Sequence, residues 1–309
     1  MALSVLAATS LNAMAGDLTP MTAERFLLHE PPHAKSKELP QQYKDIERLT
    51  PQMFSSNQAV RMGDGYRNYL VLKNRADLKH PYAAYNVGLY QIVNREALGV
   101  SYTDSLLYLK MAADGGVDDA LYSLALIYTN NTDQVAKVIN GSDLRQNVRM
   151  DEVIESDKKR FRELGQEYIL TLAQRGHERG FMMACNYFTI GQFFKKDITK
   201  AALCYNNAVK VFDSNIAKGL LAKIYFDVPE FDSVEFEQLG VQLSKEAAAK
   251  GNMYAMVNLG KQLIMPKHIG RETVDVGVRL LQSAAAQGDE RAIELLRKHL
   301  GEDGVLRVK

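Results

Sequence analysis

One short pattern recurs along most of the chain beyond residue 80. Each copy begins with a small residue and carries Ala, Val or Leu at its fifth position. The six copies begin at Ala83, Ala120, Gly180, Ala217, Ala255 and Ala292. Their starting residues are separated by 37, 60, 37, 38 and 37 residues. A period of this length indicates an array in which copies of one supersecondary unit are stacked.

The long spacing indicates a single insertion. A spacing of 60 in place of 37 corresponds to 23 extra residues. We place them near residues 131–155, between the two halves of the second unit. Removing this insertion restores the period throughout the array.

Two further sets of small residues follow the same period. One set holds the sixth position of the first five copies: Gly88, Ala125, Cys185, Ala222 and Gly260. The other set recurs in the second half of each unit: Ser105, Gly165, Ala201, Gly240 and Gly277. Apolar residues at intervals of three and four in both halves are typical of amphipathic helices. We predict an all-α array of antiparallel helix pairs in which the two sets of small residues meet where the paired helices cross.

The last copy departs from this rule in a way that fits the end of an array. It has Arg297 at the sixth position, and no second helix follows it. An array needs a terminal helix with a polar outer face. Such a face is supplied by Glu290, Arg291, Glu294, Arg297 and Lys298.

These motifs carry a family resemblance. The motif of the first half of a unit is seen in Ala255, Leu259, Gly260 and Leu263. The motif of the second half is seen in Asp197, Lys200, Ala201, Tyr205 and Ala208. The pattern is similar to the Sel-one-like repeat, a relative of the tetratricopeptide repeat. The resemblance implies a right-handed superhelical solenoid of about five repeats plus a capping helix over residues 79–300. The first unit lacks the Lys-Ala pair of the second half, and the second unit carries the insertion.

The opening residues predict export. Residues 1–16 carry no charge, and a short apolar stretch from Leu3 to Leu11 is followed by Ala13, Met14 and Ala15. This arrangement is typical of a secretory signal peptide over residues 1–15, although a basic residue at its start is missing. We expect a periplasmic or secreted protein, and a cytoplasmic one if the segment is retained as an apolar docking helix. No stretch is long and apolar enough to predict a transmembrane segment.

Residues 16–78 precede the array. Five of the eight prolines lie between residues 17 and 51, so we expect a proline-rich N-terminal arm with short helices at most. Residues 53–79 are expected to supply a helix that caps the front of the array. The string from His29 to His33 has the spacing of a zinc-protease motif. Two successive prolines between the histidines prevent the helical turn that this motif requires, so we predict no metal site.

The rest of the sequence contains no motif that predicts catalysis or a cofactor. Ser156 and Lys159 have the spacing of a serine–lysine pair, but we interpret them as part of a helix start followed by charges. The net charge is +1, so the chain lacks the positive field that general nucleic-acid binding requires. We therefore expect no enzyme activity, no cofactor and no nucleic-acid partner. Residues 301–309 are expected to form a C-terminal tail.

The two cysteines allow two interpretations. Cys185 and Cys204 lie at similar distances on either side of a turn expected near Lys195, which places them level on antiparallel helices. In an exported protein they could form a disulfide. Two buried free thiols that pack as small apolar residues are the alternative.

The candidate binding residues lie on the first helices of the repeats. Related arrays bind partners on the concave face, which these helices line. The residues we place there are Tyr82, Tyr85, Leu89, Tyr122, Leu126, Met182, Asn186, Lys223, Lys261 and Lys298. The front of this face is aromatic and apolar, whereas the rear repeats a lysine. It fits a protein partner with an apolar anchor and an acidic stretch. The alternative is that the tyrosines pack in the core and the lysines face water.

The sequence therefore predicts a protein–protein interaction module without catalytic activity. The resemblance adds a sharper version, because some exported bacterial members of this repeat class resemble immunity proteins that neutralise a secreted antibacterial effector. The alternatives are an envelope scaffold or adaptor, and an enzyme that acts on the cell envelope through its N-terminal arm.

Overall fold

The computed structural model describes residues 44–54, 63–129, 155–268 and 274–299. Over these residues it contains fourteen α-helices, one 3-10 helix and no strand. The predicted signal peptide, the arm up to residue 43 with its two histidines, most of the predicted insertion and the predicted C-terminal tail lie outside the described residues. The chain divides into two compact units, and the boundary lies between Phe181 and Met182.

The first unit contains seven complete helices and the first turn of the eighth. The complete helices are α1 (Lys44–Met53), α2 (Asp64–Asp77), α3 (Pro81–Val93), α4 (Arg95–Leu98), α5 (Tyr102–Asp114), α6 (Asp118–Tyr128) and α7 (Glu155–Gln174). Helix α8 (Glu178–Ile190) contains the unit boundary. Helix α3 packs against α2 and α5, and helix α6 packs against α5 and α7. At the front, the rings of Tyr69 and Tyr90 stack with their centroids 5.0 Å apart.

The second unit begins with the rest of α8 and contains the later repeats. Its other helices are α9 (Ile198–Phe212), α10 (Asn215–Asp227), the 3-10 helix (Pro229–Phe231), α11 (Val234–Ala249), α12 (Met253–Ile264), α13 (Val274–Ala286) and α14 (Glu290–His299). Helix α12 packs against α10, α11, α13 and α14. The hydrophobic core of the second unit includes Phe226, Leu259, Leu263 and Leu281.

The predicted period is present in the backbone. Every starting residue of the sequence pattern is the third residue of a helix, in α3, α6, α8, α10, α12 and α14. Four residues before each start, the backbone is left-handed, with φ between 48° and 87°. These six residues are Lys79, Gly116, Gly176, Asp213, Gly251 and Gly288. A left-handed residue ends a helix, so every repeat begins with the same chain reversal.

The reversal is held by two kinds of hydrogen bond. In most repeats the residue after the left-handed one donates back to the preceding helix, as Val117 N does to the carbonyl of Ala112 at 3.0 Å. In most repeats its side chain then accepts from the backbone N–H of the starting residue. Asn252 Oδ1 accepts from Ala255 N at 3.0 Å in this way, and Ser214 Oγ accepts from Ala217 N at 3.3 Å. The starting residue is small because it is fully buried beside this cap, as Ala83 and Ala292 also are.

One of these turns has an acidic residue in place of glycine. Aspartate is among the few residues that adopt the left-handed conformation without a severe penalty. The Asp213 carboxylate accepts from Lys218 Nζ at 2.5 Å and from Lys250 Nζ at 2.7 Å. These two ammonium groups lower the pKa of Asp213 to about 2. The residue therefore links its turn to the ends of α10 and α11.

The two sets of small residues lie where paired helices approach each other. A methyl group added at Gly277 would lie 2.9 Å from the carbonyl oxygen of Gly260 and 2.9 Å from Ile264 Cγ2. One added at Gly165 would lie 2.9 Å from the carbonyl oxygen of Ala125. Contacts this short leave no room for a side chain. The crossing predicted from sequence is thus present in the second repeat and in the last complete pair.

The last helix has the features expected of a terminal cap. In α14, Ala292 is buried, whereas the five polar residues named above are exposed. Within residues 53–79, where the sequence predicts a helix at the front of the array, α2 spans Asp64–Asp77, and α1 precedes it. Helix α1 includes Pro51 in its last turn, so the arm contains helix up to Met53.

The contacts at Gly277 and Gly219 predict that alanine is destabilising at the first position and tolerated at the second. We expect Gly277→Ala to lower the free energy of unfolding by about 1–3 kcal/mol, because the added methyl group overpacks the contact. Gly219→Ala is the control, since a methyl group there meets Ala255 Cβ at an ordinary 3.4 Å. It should be neutral or stabilising by up to about 1 kcal/mol, because alanine favours the helix. Urea unfolding followed by circular dichroism measures both, and equal stability of the two variants would contradict the crossing.

Candidate protein-binding surfaces

In the first unit, the residues predicted to bind a partner divide into two groups. Tyr82 and Tyr85 are half-buried and keep part of their surface exposed. Leu89, Tyr122 and Leu126 are only 3%, 5% and 0% exposed. The prediction that these three contact a partner directly is corrected, because α3 and α6 are packed between neighbouring helices that cover them.

A polar cluster that the sequence did not predict lies beside the buried tyrosine. The Asp119 carboxylate on α6 pairs with the guanidinium of Arg179 and lies 3.5 Å from His177 Nε2. The Arg179 guanidinium also lies over the Tyr122 ring, 5.0 Å from its centroid. His177 at the same time caps α8, because its Nδ1 accepts from Gly180 N at 3.1 Å. The cluster therefore fixes the first turn of α8 against α6.

The electrostatics of this cluster follow from its contacts. His177 and Arg179 hold the pKa of Asp119 below its ordinary value, although burial acts in the opposite direction. Burial raises the pKa of Tyr85 well above its ordinary value, and the Asp119 charge adds to this shift. The Tyr85 hydroxyl thus stays protonated, and the surface it helps form is a neutral aromatic edge beside a compensated ion cluster.

In the second unit too, some of the residues predicted to bind a partner are buried and others keep exposed surface. Met182 is buried at 7% exposed, which corrects its assignment to a binding face, and Asn186 is half-buried. Lys223 on α10, Lys261 on α12 and Lys298 on α14 all keep exposed surface. The three lysines hold the same position in successive first helices. These three lysines lie on one side of the second unit, and we call that side the lysine row.

Two members of the lysine row have an internal partner. The Asp227 carboxylate on α10 accepts from Lys223 Nζ, and its other oxygen lies 3.3 Å from Lys261 Nζ. Burial alone would raise the pKa of Asp227, but the two ammonium groups outweigh it and lower the pKa. The sequence pattern identified the lysines and missed this carboxylate, which a test for acidic residues four positions after each lysine would have found.

This helical architecture is similar to that of proteins of known structure. A Sel1 repeat protein from Oxalobacter formigenes is similar with a TM-score of 0.54 and 18% identity over 78% of this chain and 86% of that one. The chain has the Sel1 repeat fold. A protective antigen of uropathogenic Escherichia coli that displays an SLR fold is similar with a TM-score of 0.53 and 18% identity. That match covers 75% of this chain, which spans only 44% of the antigen. No protein-family model and no curated protein sequence matches the chain.

The third pair of this Sel1 repeat fold contains a covalent link. The structure joins Cys185 on α8 and Cys204 on α9 in a disulfide, with Cα atoms 5.4 Å apart. Both residues are buried, at 0% and 1% exposed. Cys185 holds the sixth position, where other repeats place Gly88 or Gly260 against a leucine of the second helix. The disulfide thus lies at the helix crossing.

Two kinds of feature are absent from the parts of the chain that the structure describes. None of those helices combines the length and apolar character needed to cross a bilayer. Those parts also contain no group of three or more His, Cys, Asp or Glu side chains arranged to hold a metal ion.

The Asp119 cluster generates a pH prediction. Because the folded pKa of Asp119 is lowered, its contribution to stability is present above the unfolded value near 4 and is lost as the pH falls through the folded value. We expect Asp119→Asn to be less stable than wild type at pH 7, by less than about 1 kcal/mol because the carboxylate is half-exposed.

Urea unfolding between pH 7 and pH 2 measures this difference. It should shrink on acidification below pH ~4 and vanish once Asp119 is protonated in the folded state. Glu96→Gln, which removes an exposed carboxylate on α4, is the control and should show no such trend. A difference between wild type and Asp119→Asn that is constant with pH would contradict the pairing.

The disulfide generates a second prediction. It closes a segment with a sequence separation of 19 residues. Reduction should lower the free energy of unfolding by about 3 kcal/mol in the chain-entropy treatment. The double variant Cys185→Ala, Cys204→Ala should be destabilised similarly and should not respond to reductant. A wild-type protein whose stability is the same with and without reductant would show that the link does not stabilise the fold.

Proposed function

We propose that this chain is a protein-binding module without catalytic activity that works outside the cytoplasm, in the periplasm or as a secreted protein. The observation that carries the proposal is the Sel1 repeat fold with a buried disulfide at one of its crossings. Arrays of stacked helix pairs offer extended surfaces to partners. Disulfides persist in oxidising compartments and are rare in the cytosol, which supports export. The uncharged opening segment over residues 1–15 points the same way.

The exposed tyrosine edge of the first unit is the first contact surface we assign. Tyr82 and Tyr85 follow each other by nearly one turn on α3, and both keep exposed surface. Partly exposed tyrosines are frequent hot spots of protein interfaces, because they offer a large rigid ring and a polar hydroxyl. The lysine row of the second unit is the other surface, and it adds charge selectivity.

For the partner we propose a secreted antibacterial effector, which would make the chain an immunity protein. The support is the resemblance of its repeats to those of exported bacterial immunity proteins together with the oxidised cysteine pair. An envelope component as partner would instead make the chain a scaffold or adaptor. Turnover of an envelope substrate, abolished by a change in the N-terminal arm, would replace both with an enzyme.

The experiment captures the partner under native conditions. The tagged full chain is expressed in its source cell, free thiols are blocked during fractionation, and bound proteins are identified by mass spectrometry. We expect the chain in the periplasmic or extracellular fraction, its two cysteines oxidised, and one stoichiometric protein partner. Recovery in the cytoplasm with both thiols blocked would overturn the export part of the proposal.

A matched pair of variants then tests the tyrosine edge with the purified partner. Tyr82→Ala should weaken binding about tenfold or more, as expected for an aromatic hot spot. Leu107→Ala is the control, because Leu107 is 40% exposed on the second helix α5. It should bind like wild type. Absence of any stoichiometric protein partner would overturn the binding function.

A further inference from the structure

The first chain reversal of the array is built differently from the later ones. Its left-handed residue is Lys79, with φ of 65°, whereas the other five reversals have glycine or aspartate at this place. Lysine has no short polar side chain that could bond locally in this conformation, so the backbone there is unfavourable. The next residue, His80, caps α3, because its Nδ1 accepts from Ala83 N at 3.4 Å. The entry to α3 therefore depends on an imidazole acceptor beside an unfavourable turn.

The His80 cap holds only while the ring is neutral. Pro81 at the first helical position has no N–H, so Tyr82 and Ala83 carry the first N–H groups of α3 that need an acceptor. His80 satisfies the one on Ala83. In the charged imidazolium, both ring nitrogens are donors. Protonation would thus set one donor against another and would place a positive charge at the positive end of the helix dipole.

The surroundings of His80 favour the neutral ring. Partial burial lowers the pKa of His80 below its ordinary value near 6.5, and the positive charge of Arg75 on the last turn of α2 lowers it further. Because the pKa is lowered in the folded state, neutral His80 contributes stability that is present above the unfolded value. This contribution is lost as the pH falls through the folded value.

The acidic residues on neighbouring helices have partners of their own. Those at the adjoining ends of α2, α5 and α6 are Asp77, which accepts from Lys73 and Tyr108, Asp114, which accepts from Lys110, and Asp118 and Asp119, which pair with Arg175 and Arg179. On α1, Glu47 and Arg48 are exposed. Helix α4, with Arg95 and Glu96, follows the opposite end of α3. A proton on His80 would therefore meet the charge of Arg75 among carboxylates that are already engaged.

The later caps differ from His80 in their response to acid. His177 caps α8 in the same way, but its Nε2 lies 3.5 Å from the Asp119 carboxylate, which compensates the charge gained on protonation. The caps of the last three first helices are Ser214, Asn252 and Asp289, and none of them gains a positive charge on acidification. Among the described caps, His80 is thus the imidazole whose surroundings oppose a positive charge.

We propose that His80 is a pH-sensitive cap that loosens the tyrosine edge, formed by Tyr82 and Tyr85, when the surroundings become acidic. Tyr82 lies in the first turn that the cap fixes, and Tyr85 follows on the same helix. When His80 binds a proton, this turn frays and the partly exposed rings lose the fixed placement that a partner uses. The partner then binds more weakly in acid than at neutral pH. This inference rests on the proposed protein-binding function and adds the regulation of one of its surfaces.

Hydrogen–deuterium exchange of the full chain between pH 7.5 and pH 4.5 tests the cap. Protection is measured at the Ala83 amide, relative to an unstructured peptide at the same pH. It should fall about fivefold in wild type on acidification, as expected for a lost N-cap. His80→Asn keeps an acceptor that does not titrate and should stay protected. His80→Ala should be as weakly protected at pH 7.5 as wild type is at pH 4.5.

Two further measurements complete the test. His299→Asn removes a half-buried histidine from α14 that caps no first helix, so Ala83 should respond to pH as it does in wild type. With the captured protein partner, the affinity of wild type should fall about fivefold more on acidification than that of His80→Asn. The comparison of these two chains removes any titration of the partner itself.

Each part of the proposal can fail separately. Unchanged protection of Ala83 in wild type, or an equal loss in His80→Asn, would overturn the cap. An equal pH dependence of partner binding in wild type and His80→Asn would overturn the regulation while the binding function stands. If no protein partner is captured, the binding function fails and the regulation fails with it, whereas the exchange measurement still decides whether His80 is the pH-sensitive cap.

Discussion

The rest of this structure depends on the chain reversal that begins every repeat. Six residues at one position of the period are left-handed, and each ends a helix. The next residues cap the following helix with a side-chain acceptor in most repeats. Because both helix ends are fixed at the same few residues, the direction of each first helix is set locally. The small starting residue follows from this, since it is buried against the cap it helps form.

The sequence predicted the part of the fold that the period encodes. The starting residues, the pairing of helices and the two sets of small residues at the crossings all follow from residue size at fixed spacing. Asp213 could not be placed in the same way. Aspartate tolerates this left-handed backbone, and two lysines compensate its charge, Lys218 from the next helix and Lys250 from 37 residues away. Such compensation is visible only once the helices are packed.

The candidate surfaces were predicted less completely than the fold. The period identified which positions of the first helices recur, but exposure at those positions differs between repeats. Leu126 is fully buried, whereas Lys261 at the equivalent position is half-exposed. The difference arises because side-chain burial depends on the neighbouring helices and on the size of the residues they contribute, and not on position within the helix alone. The Asp119 cluster was missed for a related reason, since its members are 58 and 60 residues apart in sequence.

The third pair shows how one crossing can be built with different chemistry. In the first and last complete pairs, a glycine at the sixth position is contacted by a leucine of the second helix, Leu109 or Leu281. In the third pair the sixth position is Cys185, and Cys204 of the second helix reaches it as a covalent partner. A leucine on glycine stabilises the pair by burial in any compartment, whereas the disulfide adds stability only where it remains oxidised. The stability of this pair, and of no other described pair, is therefore coupled to the compartment in which the protein works.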